Sequence, residues 1–134
     1  MNIDNRILRK INMVEGEKIT QYIDIVYEFL LDQNYIRTTK KINSLCSSLE
    51  LANYLKYITG AEVSNLDVKY CMEFYGIEGK PIGNDGLMYY PLTNAWIEKI
   101  KHWSMECCSR FSKEAKYRRM KEDIDTGNSN YIVI

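Results

Sequence analysis

Ser64 to Pro91 is the stretch that leaves this chain the fewest folds to adopt. Ser64 and Asp67 have capping-box spacing, in which each side chain accepts a hydrogen bond from the other residue's free backbone N–H. Val63 before the cap and Val68 inside the helix have the spacing of a hydrophobic staple. Gly76, after Tyr75, supplies the positive φ that ends a helix. Glu78 to Pro91 then reads as a hairpin around Asn84-Asp85-Gly86. A helix followed by a hairpin is the layout of a recognition helix and wing. The first functional question is therefore whether the chain reads nucleic acid.

The flanking segments carry helical periodicity. Ile3, Ile7, Ile11 and Val14 share one side of a predicted helix over 2–14, which Gly16 breaks. Ile19, Ile23, Val26 and Leu30 form the buried arc of a helix over 17–33, and Glu17, Gln21, Asp24, Glu28 and Asp32 fall on its opposite arc. Residues 38–59 allow two readings. Ile42, Leu45, Leu49, Ala52 and Leu55 continue one stripe, which suits a single helix ending at Gly60. Ser47 with Glu50 is a second capping box, which suits a short helix over 39–45, a turn, and a second helix over 48–59. After Pro91, Thr93 or Asn94 starts the longest helix, with Trp96, Ile100, Trp103, Cys107 and Phe111 on one arc. That stripe ends near Phe111. The chain thus reads as one mainly α domain over 1–134, with about five helices and a small hairpin over 78–91 before a long C-terminal helix. It is winged-helix-like at most. A core over 1–111 and a projecting basic end over 112–134 are expected.

Composition narrows the partners. The 18 basic and 18 acidic side chains cancel, so no general attraction to nucleic acid or anionic lipid is built in. No apolar run is long enough to span a membrane, and the charged N-terminus has no signal-peptide pattern. Cys46, Cys71, Cys107 and Cys108 lie inside helical patterns, two of them adjacent, which points to reduced thiols and a cytoplasmic setting. Abundant Ile, Asn, Lys and Tyr match an AT-rich genome, such as that of a low-GC bacterium or its phage.

Catalytic chemistry has few candidates. His102 is the only histidine; Glu106 shares its face, but CxxC and HExxH spacings are missing. The glycine pairs Gly76/Gly79 and Gly83/Gly86 lack the ending of a phosphate loop and read as turns. The expectation is a non-enzymatic protein with no catalytic residues, metal or cofactor.

Charge then decides between two binding classes. Across 61–93, Lys69 and Lys80 stand against Glu62, Asp67, Glu73, Glu78 and Asp85, which opposes phosphate contacts. A nucleic-acid surface would instead use Lys40, Lys41, Asn53, Lys56 and Tyr57, as in a DNA-binding regulator that dimerises through its last helix. The leading expectation is a protein-binding adaptor or inhibitor. One version is a phage or mobile-element inhibitor of a host nucleic-acid-processing system. Its contacts would be the acidic arc Glu17, Asp24, Glu28 and Asp32, facing a basic partner, and Tyr89 and Tyr90 on the hairpin. The third contact would be the basic helix end, with Arg110, Lys113, Lys116, Tyr117, Arg118 and Arg119.

Overall fold

The computed structural model describes residues 2–32 and 38–108. Its centre is the helix that the capping box starts. Here α1 is Asn5–Leu8, α2 is Ile23–Asp32, α3 is Ser48–Thr59 and α4 is Asn65–Phe74. The strands β1 (Lys80–Pro81) and β2 (Met88–Tyr89) form an antiparallel pair, and α5 occupies 94–108. The protein is mainly α with a two-stranded sheet, as expected.

The capping box is complete: Ser64 Oγ accepts from Asp67 N, and the Asp67 carboxylate accepts from Ser64 N. Every residue from Leu66 through Met72 is buried, because α1, α2 and α3 all pack on this one helix. A helix enclosed on all sides is ordinarily apolar all round. The enclosed stretch of this one carries two charges, Asp67 and Lys69, both completely buried.

Both find partners in the first twenty residues of the chain, and Lys69 has one more in the hairpin loop. Lys69 Nζ donates to the Asn12 carbonyl, to Glu17 Oε1 at 2.8 Å and to the Gly86 carbonyl at 2.7 Å, which uses all three of its protons. Asp67 accepts from Thr20 N at 2.8 Å and from the Thr20 hydroxyl. Ser64 Oγ also donates to the Lys18 carbonyl, and Asp4 N donates to the buried Tyr70 hydroxyl.

These bonds correct two predicted helices. The 2–14 helix shrinks to Asn5–Leu8, since Asn12 must turn its carbonyl toward Lys69 and Val14 N donates to Glu17 Oε1. The 17–33 helix begins only at Ile23, since the Thr20 N–H is bonded to Asp67 instead of to a carbonyl of its own helix. Glu17 therefore leaves the acidic arc altogether. It is an interior ion-pair partner, with its side chain 13 % exposed.

Residues 38–59 resolve into part of the second reading. Ser47 Oγ accepts from Glu50 N and starts α3, but 39–45 is not helical. That segment lies along the hairpin instead: Thr38 bridges Leu92, Thr39 N donates to the Pro91 carbonyl, Asn43 N to the Tyr90 carbonyl, and Ser47 bridges Tyr89. Backbone groups of β2 and the residues after it thus find partners that a two-residue ladder lacks. Gly86 sits where a side chain would collide, a Cβ there falling 2.6 Å from Glu17 Oε1, at φ +80°.

The last helix is capped by Thr93, whose hydroxyl accepts from Trp96 N. It buries Trp96, Ile97, Ile100 and Ser104, so its inner face is rotated from the predicted stripe. Trp103 is partly exposed and leans on Phe29, ring centroids 5.6 Å apart. Phe111 and the basic end lie outside the described residues.

Removing one partner of a buried pair strands the other's charge. Lys69→Ala should cost about 3–5 kcal/mol in urea unfolding, and replacing Lys69 and Glu17 together by methionine should cost markedly less. A single-variant loss under about 1 kcal/mol would contradict this account of the core.

Candidate interaction surface

α2 packs against α4 so that Tyr27 of α2 meets the C-terminal turn of α4. Tyr27 stacks on Tyr75 with centroids 5.4 Å apart and meets Phe74 edge-on, also at 5.4 Å. Phe74 and Tyr75 are perpendicular at 5.5 Å. The Tyr75 hydroxyl donates to the Tyr27 carbonyl at 2.9 Å, and Gly76 ends the helix with φ +75°. Three rings are thereby fixed at one corner, in the edge-to-face and offset arrangements that aromatic pairs favour.

This aromatic corner reaches solvent. Phe74 is 45 % exposed and Leu31 of α2 is 51 % exposed. At 100° per residue, Tyr27, Leu31, Asp24 and Glu28 follow one another across the outer side of α2. The rings and Leu31 make the apolar part of a single face, and Asp24 and Glu28, both exposed, make its edge.

The remaining expected contacts scatter. Asp32 closes α2. Tyr89 is half-buried in β2. Tyr90, expected at the surface, is 3 % exposed: its ring lies across Gly79, where any Cβ would come within 2.6 Å of it. It is scaffold, and burial pushes its hydroxyl well above the usual tyrosine range, with lesser effects from Glu73 and Cys71. Arg110, Lys113, Lys116, Tyr117, Arg118 and Arg119 lie outside the described residues.

The nucleic-acid set is also divided. Lys40 and Lys41 are exposed on the loop along the hairpin and line an open cleft of about 490 Å³ with Asn43, Thr93 and Asn94. Asn53 and Tyr57 share the outer side of α3 with Leu49, while Lys56 pairs with Glu62 at 2.9 Å. α4, the helix in the recognition-helix position, is enclosed by its neighbours and has no side free for a groove.

Of the residues on this candidate face, the sequence reading named Asp24 and Glu28 and did not name Tyr27, Leu31, Phe74 or Tyr75. Tyr27 lies three residues from Asp24, a usable sign of a shared face. Phe74 gave none, because only the meeting of α2 and α4 shows which turn of α4 reaches the surface.

Chemistry-bearing side chains are engaged or apart. His102 pairs with Glu106 at 3.2 Å on the exposed side of α5. Among the described residues no three His, Cys, Asp or Glu side chains cluster as metal ligands would. Also among these, no helix is long and apolar enough to cross a membrane. Cys46 and Cys71 are buried free thiols whose pKa values desolvation raises to about 12, with smaller effects from nearby carboxylates. No family model, curated protein or solved structure matches this chain.

The thiols give a pH prediction. Both folded pKa values lie above the ordinary 9.0, so their stabilisation is complete below pH 9.0 and is lost as pH rises toward about 12, where the unfolded chain has released protons that the folded one still holds. The urea midpoint should fall over that range, and Cys71→Ala should flatten the fall. In the native protein a thiol reagent should label Cys107 and Cys108, which are half-buried, well before Cys46 and Cys71.

Proposed function

We propose that this chain is a non-catalytic binding protein that acts by protein–protein contact, with the α2–α4 aromatic face as its contact surface. The observation that carries the reading is Phe74: a large ring nearly half open to solvent, yet held in place by Tyr27 and Tyr75. Rigid aromatic anchors rimmed by polar groups are what protein interfaces concentrate, since little side-chain entropy is lost when they bind. Leu31 enlarges the apolar area, and Glu28 and Asp24 supply the rim.

A nucleic-acid surface has less support. Lys56 is taken by Glu62, and the exposed row of α3 that contains Asn53 and Tyr57 begins with Leu49, which offers phosphate nothing. Lys40 and Lys41 are the pair that speaks for that alternative.

Affinity capture from the native host, with the intact chain as bait, tests the choice. A protein should be retained in moderate salt and lost with Phe74→Ala, while that variant keeps its circular dichroism and unfolds with a loss near 1 kcal/mol, as suits a half-exposed ring. Capture of nucleic acid that washes off steeply with salt and depends on Lys40 and Lys41, not Phe74, would overturn the proposal.

A further inference from the structure

The loop that runs along the hairpin is flanked by two open clefts with an uneven charge. The larger, about 490 Å³, is lined by Lys40 and Lys41, and its wall contains no Asp or Glu. Both lysines are exposed, and neither has an ion-pair partner among the described residues. The smaller cleft, about 460 Å³, shares Lys40 and adds one charge of each sign, Glu78 and Lys80. The two clefts together hold three lysines and one carboxylate. The nearest charged residue before Lys40 in the chain is Arg37, which adds to the same sign.

The backbone that carries Lys40 and Lys41 is already placed. Thr39 N donates to the Pro91 carbonyl at 2.7 Å and Asn43 N to the Tyr90 carbonyl at 2.9 Å, so the hairpin side holds the loop at both ends. Between those ends the Thr39 hydroxyl donates to the Lys41 carbonyl at 2.8 Å and accepts from Lys41 N at 3.2 Å. Asn43 Nδ2 donates to the Leu92 carbonyl at 3.0 Å, which ties the loop to the far wall. A site arranged in advance loses little conformational freedom when a ligand enters.

The lining then selects the ligand. Two ammonium groups match the charge of a phosphate monoester, about −2 at neutral pH, whereas a monocarboxylate answers only one of them. Lysine binds phosphate as a point charge and needs no fixed fork geometry. Ile42, Leu45 and Leu92 give the same cleft an apolar wall, and Leu45 is 68 % exposed, with most of its surface open to a ligand. The volume lies within the range of small-molecule sites, about 300–1,000 Å³.

We infer that this cleft binds a small organic phosphate monoester, with the phosphate against Lys40 and Lys41 and the organic part against Ile42 and Leu45. The site shares no residue with the Phe74 face and goes beyond the protein-contact reading.

Isothermal titration of the intact protein with phenyl phosphate and with AMP, beside phenol, adenosine and inorganic phosphate, tests the inference. At low salt at least one ester should bind, at least about tenfold more tightly than its uncharged parent, and more weakly as salt rises. Lys40→Gln and Lys41→Gln should each weaken that ester about threefold or more, and the double variant about tenfold. Lys10→Gln, which removes the same charge elsewhere on the surface, should leave it unchanged. Leu45→Ala should weaken the ester about twofold and leave inorganic phosphate as it was. Phe74→Ala should leave ester binding intact, so loss of the protein-contact reading would not remove this site. No binding of either ester, an uncharged parent as tight as its ester, inorganic phosphate as tight as both esters, or lysine variants that behave like Lys10→Gln would each overturn the inference. So would a single-stranded oligonucleotide whose affinity climbs with length while neither ester outbinds inorganic phosphate, since the lysines would then serve nucleic acid.

Discussion

The ammonium of Lys69 is the point on which the fold depends. A lysine in a fully enclosed stretch of helix is tolerable only when every proton has an acceptor, and the three acceptors come from two parts of the chain that are far apart in sequence. Asn12 and Glu17 belong to the N-terminal segment, and Gly86 belongs to the hairpin loop. One side chain thus ties the beginning of the chain, the central helix and the hairpin together. Asp67, two residues earlier, repeats the device by holding Thr20 while capping its own helix. Such pairs add little net stability compared with well-packed apolar residues, but they are exacting about geometry, so they act here mainly to select one arrangement.

That arrangement determines where the proposed contact face can be. With its middle enclosed, α4 can reach solvent only at its ends, and at its C-terminal turn it presents Phe74 and Tyr75. α2, its start delayed to Ile23 by the Thr20–Asp67 bonds, lies so that Tyr27 meets those rings. The acidic outer side of α2 is carried to the same corner. The hairpin, which resembles a wing in sequence, is instead gripped by residues 38–47 along β2 and has Tyr90 buried beneath it.

Much of this was legible from local signals. Ser64 with Asp67 is a capping box because the reciprocal bonds depend only on residues three apart, and Gly76 ends the helix because only its own φ matters. The Ser47 cap was legible for the same reason. The inner residues Ile23, Val26 and Leu30 followed from periodicity. Periodicity failed where a distant group claimed the backbone: Ile3 to Val14 alternates like a helix, yet Asn12 serves Lys69, and 17–20 looks helical, yet Thr20 serves Asp67. Tyr90 was misplaced because the space that receives its ring is made by Gly79, a residue whose own signal is only that of a turn.

What the residues settled alone was much of what short-range physics governs: where α4 and α5 begin, where α4 stops, the hairpin, and the helical class of the chain, with the start of α3 as one of two readings. Glu17 shows the limit. On a helical wheel it belongs with Asp24 and Glu28, and in the folded protein it lies inside, bonded to a lysine fifty-two positions away. Only tertiary contact could separate it from that arc and bring Phe74 against Tyr27 of the same helix as the carboxylates that remain. Burial of a charge and the meeting of two helices are set by partners far apart in the chain, and no local pattern encodes them.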